Sequence, residues 1–279
     1  MNHKKLYSIY LLPTLLQIIF FAAIAGLFKK AGFELGYHSF LGMLLIVLAG
    51  ISSALWGVIY QKNCHGKSPL EILKEFFDVR QPMQVYLFVI AFLVIDFGAV
   101  IIGNGFRIGS IWLPFLFFLK ALVFGGIEEI GWRYSFQPDL EKKFSYALAT
   151  IITFICWGVW HILFFYIDGS LTSVDLPSFL LGLLTNSFIL SALFVYSKSL
   201  WICAMTHALI NALSQISVND SGIDSIMLKV VCICFALVLV YAVRKKRQKI
   251  PASEAKHAKE FEESNETLHV YDEKNEVDN

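Results

Sequence analysis

Charge is what this sequence has least of. Only 16% of its 279 residues are Asp, Glu, Lys or Arg, against about a quarter in a soluble domain. The net charge of +1 gives no electrostatic footprint for nucleic acid, so no nucleic-acid partner is expected. The cysteines are few: Cys64, Cys156, Cys203, Cys232 and Cys234 show no paired zinc-type spacing, and four of them lie in apolar runs. Neither a disulfide framework nor a Cys-based metal knuckle follows. The first apolar run lacks a small-residue cleavage pattern, so it reads as a span and not as a removable signal. No His-Glu-x-x-His string occurs, which excludes a zincin at the motif level. No serine or cysteine stands beside an intramembrane base as a nucleophile would.

What is abundant is apolar surface, at 57% of residues with a mean hydropathy of +0.63. The runs are long and continuous, not short and alternating, so they read as helices and not as barrel strands. The expected fold is an all-α polytopic transmembrane bundle. At about 20 residues per crossing, eight spans are expected: Ser8–Phe28, Ser39–Tyr60, Gln84–Ile102, Ile111–Ile130, Tyr146–Tyr166, Leu176–Tyr196, Leu200–Val218 and Ile226–Val243. Residues 1–243 then form the membrane domain, and 244–279 form a solvated, disordered tail that starts basic and turns acidic.

Loop charge sets an orientation. One side carries Lys4, Lys5, Lys62, Lys67, Lys74, Arg80, Lys142, Lys143, Lys198 and the Arg244-Lys245-Lys246-Arg247 run. The other has Lys29, Lys30 and Arg107, and ends in loops holding Asp168, Asp175, Asp220 and Asp224. Both termini are therefore expected in the cytoplasm of an integral protein of a bacterial plasma membrane. Between the second and third spans, Pro69–Phe77 has helical apolar spacing and is expected to lie in the interface.

Ionisable groups inside apolar spans are costly and mark sites or structural pairs. The census is Asp96, Lys120, Glu128, Glu129, Arg133, His161 and His207, with Asn186 and Asn211 as uncharged polar additions. Asp96 and Lys120 fall within one turn in depth, so an ion pair between the third and fourth spans is expected. Glu129 and Arg133 are i and i+4 and can pair, which leaves Glu128 as the free carboxylate. His207 and Asn211 are also i and i+4 and share one helix face. The inward-looking partners for that face are Glu128 and His161. A carboxylate, two imidazoles and a carboxamide drawn from three helices are what water activation needs: a base, groups that hold a metal or the water, and an oxyanion donor.

Glu128-Glu129-x-x-x-Arg133, the aromatic-x-x-x-His161 string opened by Trp157, and His207-x-x-x-Asn211 resemble, in order and spacing, the three motifs of the CPBP intramembrane proteases. That family includes the type II CAAX prenyl endopeptidases and the Abi group linked to bacteriocin self-immunity. The motif-bearing core is 115–213, and the family's usual Phe is replaced by Trp157. The resemblance implies an endopeptidase, classed as a metalloprotease, that cuts a peptide or a membrane-anchored protein within the lipid bilayer. Glu128 would activate water, His161 and His207 would bind the metal or orient the water, Asn211 would stabilise the oxyanion, and Glu129 and Arg133 would brace the site. A divalent metal, zinc by ligand type, would sit on His161, His207 and Glu128; a metal-free scheme keeps Glu128 as a free base instead. A non-catalytic immunity or binding protein using the same cavity is the rival from another class, and a small transporter is a weaker one. Simple depth counting puts His161 about 22 Å into its span, too deep to meet a Glu128 at a helix end. The helix of Glu128 is therefore expected to run on to about Gln137.

Overall fold

The computed structural model describes residues 3–103, 105–218 and 223–248. Among these the secondary structure is helical, with one isolated bridge between Phe106 and Ser217. Five helices are long and apolar enough to cross a membrane: α1 (Leu6–Lys30), α2 (Phe40–His65), α6 (Tyr146–Asp168), α7 (Leu176–Ser197) and α9 (Asp224–Gln248). Three shorter apolar helices are α4 (Met83–Asp96), α5 (Leu113–Phe124) and α8 (Leu200–Ile216), and α3 (Pro69–Phe76) lies in the loop after α2. Large apolar side chains stay exposed along these helices, as at Leu16, Ile19, Phe20 and Leu27 of α1. With no water-compatible face for them, the molecule is an integral membrane protein. Through Val238 the chain is one compact unit; the second starts at Leu239 in the last turns of α9. The expected tail lies outside the described residues beyond Gln248.

Helix ends follow the local chemistry. Ser39, Ser145 and Ser199 cap α2, α6 and α8 by accepting the backbone N–H of Gly42, Leu148 and Ile202, which satisfies donors a helix start leaves orphaned. Gly66 and Gly169 close α2 and α6 in the left-handed conformation, at φ 72° and 86°, where a side chain would be strained. Ser68 and Glu71 form a reciprocal capping box at the start of α3.

Two expectations are corrected. The third span is a 14-residue helix that breaks at Phe97 and resumes only for Gly98–Ile102. Asp96 pairs with Lys229 of α9, Nζ to Oδ1 3.1 Å, and not with Lys120. Lys120 is exposed and lies over the ring of Tyr37.

The fourth span holds the decisive local structure. α5 ends at Phe124, and Gly125-Gly126 opens a succession of short turns: a 3-10 turn (Gly126–Glu128), an α turn (Glu129–Gly131), a π turn (Trp132–Phe136) and a final α turn (Gln137–Leu140). The chain thus stays helical beyond Gln137 as expected, but not as one α-helix. It threads between two buried clusters. Trp132, Phe136 and Leu140 pack with Tyr10, Tyr60, Trp157 and Trp160 on one side. Ile130 and Tyr134 pack with Ala54, Ile72, Phe76, Ala204 and Ala208 on the other.

Two glycines let this segment press onto α2. A Cβ on Gly57 would lie 2.9 Å from Gly131 Cα, and a Cβ on Gly131 would lie 2.2 Å from Ser53 Oγ. Backbone therefore meets backbone at this crossing. Ser53 uses the approach: its Oγ donates to the Glu128 carbonyl at 3.1 Å and lies 3.1 Å from the Tyr10 hydroxyl. Further along, α2 and α3 strap the outer side. Gln61 donates to the Tyr134 carbonyl at 2.8 Å, and Lys67, Glu75 and the Tyr134 hydroxyl bond one another. Tyr60 and Lys142 both bond the buried Asp139.

Candidate active site

Glu128, Glu129 and Arg133 are all buried, at 4%, 0% and 1% exposure. Charges at that depth persist only when paired and hydrogen-bonded. The expected i,i+4 pair is present, with Arg133 donating to Glu129 Oε1 at 3.3 Å. Its other terminal nitrogen donates to Ser187 Oγ of α7 at 3.2 Å. The guanidinium carbon lies over the Trp157 indole, 4.0 Å from the ring centroid, a favourable cation–π contact.

His207 turns to Glu129, not to Glu128: its Nδ1 is 2.7 Å from Glu129 Oε1. With the Glu129 carboxylate as acceptor, the imidazole donates from Nδ1 and turns its Nε2 the other way. That Nε2 and the Asn211 amide converge on Gly125. A Cβ there would lie 3.0 Å from His207 Nε2 and 2.9 Å from Asn211 Nδ2. Glycine lets both side chains approach the break after α5 without displacement.

Glu128 faces α6. Its Oε2 accepts the Trp157 indole N–H at 2.7 Å and lies 3.8 Å from His161 Nε2. No hydrogen bond to its Oε1 is found among the described residues. His161 is partly exposed within an aromatic collar of Trp157, Trp160, Phe165 and Phe179. The depth puzzle resolves through the turns at 126–140. Glu128 is followed by twelve more helical residues, about 18 Å at 1.5 Å each, which brings it level with His161. Trp157, Gly125 and Ser187 are the members of this centre that residue-type counting passed over. A buried Trp, a donor with no acceptor of its own, was the available signal.

The expected metal set of His161, His207 and Glu128 does not gather. Among the described residues no group of three His, Cys, Asp or Glu side chains is arranged to hold a metal ion. Glu128 Oε2 is committed to an indole N–H, and His207 is directed by the neighbouring carboxylate. As placed, these residues do not fit a three-ligand zinc cage, and no step below passes through a metal.

These features define a class: a helical membrane protein with a buried carboxylate–imidazole–amide centre, its carboxylates on a broken helix and its imidazoles and amide on two continuous ones. Residues 110–213 match the family model described as type II CAAX prenyl endopeptidase Rce1-like, in agreement with the family that the motifs resemble. A curated relative, CAAX prenyl protease 2 of Methanococcus maripaludis, is 34% identical over 83 residues, 28% of this chain. The matched stretch spans 30% of that relative's own length.

Proposed function

We propose that this protein is an intramembrane endopeptidase that hydrolyses a peptide bond of a peptide or membrane-anchored protein by carboxylate-activated water. The observation that carries the reading is the division of labour between the two glutamates. Glu129 is spent on Arg133 and His207, while Glu128 keeps one oxygen without a partner beside His161.

The chemistry follows from those atoms. Water lies between Glu128 Oε1 and the His207 Nε2 lone pair, which accepts one of its O–H groups. Glu128 takes the other proton as the water oxygen forms a bond to the peptide carbonyl carbon. The carbonyl π pair moves onto oxygen, and the Asn211 amide donates to the oxyanion. When the C–N bond breaks, the proton held by Glu128 passes to the leaving nitrogen. His161 flanks Glu128 and shapes the approach through its aromatic collar. The lysine-rich loops favour a cytoplasmic placement for both termini, with the site reached from that half of the membrane.

The test is cleavage of a library of lipid-anchored fluorogenic peptides by the full chain in proteoliposomes. Cleavage that disappears in Glu128→Ala and His207→Ala, at unchanged protein levels, supports hydrolysis. A cellular phenotype that survives both substitutions overturns it in favour of a non-catalytic binding or immunity role.

A further inference from the structure

One side chain contacts Glu128, Arg133, His161 and His207 without itself being acid, base or amide. Trp157 is 1% exposed. Its N–H is on Glu128, its ring face is on Arg133, and the His161 and His207 rings lie 5.3 Å and 5.4 Å from it. A buried indole N–H needs an acceptor, and a carboxylate oxygen gives it a charge-assisted bond, stronger than one to a neutral group. The ring in turn is held by the guanidinium on its face, which is fixed by Glu129 and Ser187. The indole is thus a rigid link from the Glu129–Arg133 brace to the Glu128 carboxylate.

The link decides which oxygen of Glu128 can work. A carboxylate turns easily about its last torsion, and His161 Nε2 at 3.8 Å is too far to pin it by a hydrogen bond. The backbone hold on Glu128 from Ser53 fixes its carbonyl, not its carboxylate. Among the described residues the indole N–H is the hydrogen bond that orients the carboxylate.

We propose that Trp157 is the positioning residue for Glu128, holding Oε2 so that Oε1 alone is presented to the water. This rests on the hydrolytic reading given above. Its role is separable from packing, because phenylalanine, the family's usual residue here, keeps an aromatic face for Arg133 but has no donor, which makes the positioning bond particular to this chain. Misplacing a reacting group by about 1 Å costs on the order of a hundredfold in rate, and lost orienting contacts of this kind cost about 10–100-fold. The loss falls on kcat, since the indole is 1% exposed and acts through the Glu128 carboxylate.

The experiment replaces Trp157 by phenylalanine and, in a second enzyme, by β-(3-benzothienyl)alanine, which keeps the bicyclic shape and puts sulfur where the N–H was. Both are assayed in proteoliposomes with the lipid-anchored fluorogenic peptide that the wild type cleaves best. Each should lose about 10–100-fold in kcat with KM unchanged. In parallel, the indole N–H resonance of Trp157 is followed in ¹⁵N-labelled full-length protein and should move upfield in Glu128→Ala. A benzothienyl enzyme with wild-type kcat, a loss confined to KM, or an indole resonance indifferent to Glu128 overturns the positioning role while leaving the hydrolytic reading standing. A wild-type chain that cleaves none of the peptides overturns the hydrolytic reading and this role with it.

Discussion

His207 Nδ1 sits 2.7 Å from an oxygen of Glu129, the same oxygen that Arg133 reaches at 3.3 Å. One carboxylate oxygen thus braces a cation and sets the tautomer of an imidazole, an arrangement that orients a working histidine in hydrolytic and metal sites alike.

Replacing Glu129 by glutamine should therefore injure the centre twice. His207 keeps at most a neutral amide oxygen in place of its charge-assisted acceptor, and Arg133 is left as a buried cation without its counter-charge. Peptide cleavage should fall about 10–100-fold, and the loss of one buried partner should destabilise the protein by about 3–5 kcal/mol. Cleavage rates with thermal unfolding in the same detergent check both; a glutamine variant of normal stability and rate contradicts the pairing.

The backbone crossing at Gly131 is a second point of attack. An added Cβ would stand 2.5 Å from the Tyr10 hydroxyl and 2.2 Å from Ser53 Oγ, so Gly131→Ala should cost at least about 1–3 kcal/mol through overpacking. Gly182, where a Cβ meets nothing within 4 Å, is the control. Gly182→Ala on α7 should be neutral or stabilise by up to about 1 kcal/mol. Paired melting curves decide it.

Asp96 and Lys229 should behave as a couple. Asp96 is buried, and its partner's side chain is 20% exposed. Lys229→Met alone should destabilise, and Asp96→Asn with Lys229→Met should recover most of that loss, because no unpaired charge remains. Additive effects in a double-mutant cycle would show that the contact carries no coupling.

α3 should loosen in acid. The backbone N–H of Ser68, followed by its side chain, holds the exposed Glu71 carboxyl below its ordinary value. A depressed folded value means the capping contribution is complete above the ordinary glutamate range and fades as pH falls through it toward the lowered one. Measured against the intrinsic rate at each pH, amide protection at Ile72 and Leu73 should fall between neutral pH and about pH 4, and Ser68→Ala should show the lower protection already at neutral pH. Equal protection in both proteins at both pH values would refute the cap.

Chelation bears on the centre as the side chains stand. With Glu128 Oε2 bonded to Trp157 and no three donors gathered, cleavage should persist after exhaustive treatment with a zinc chelator. Loss of cleavage restored by zinc would show that the side chains rearrange into a cage on binding.

The bundle and the three site-bearing helices were legible because hydropathy and the rarity of intramembrane charge are signals of residue type. Partner choice was less so. Asp96 and Lys120 match in depth, but depth does not say which helices are neighbours, and Lys229, equally an intramembrane charge, was overlooked inside the last apolar run. The split between Glu128 and Glu129 was read from an ideal helix. It survived in its main result, that Glu129 takes Arg133. It missed that Glu129 also takes His207, because 3-10 and π turns re-aim side chains in ways a 100° wheel does not describe. The role of Gly125 could not be read at all, since a glycine's use is visible only when the atoms converging on it are placed.

The short helices have a mechanical consequence for the lipid. α4 and α8 contain 14 and 17 residues, about 21 Å and 26 Å at 1.5 Å each, against a hydrocarbon layer of about 30 Å. α8 is enclosed by the protein, with only Ser214 and Gln215 exposed along it, so the mismatch falls on α4, which exposes Leu87, Ile90 and Val94. Along that helix the bilayer must thin to meet the protein.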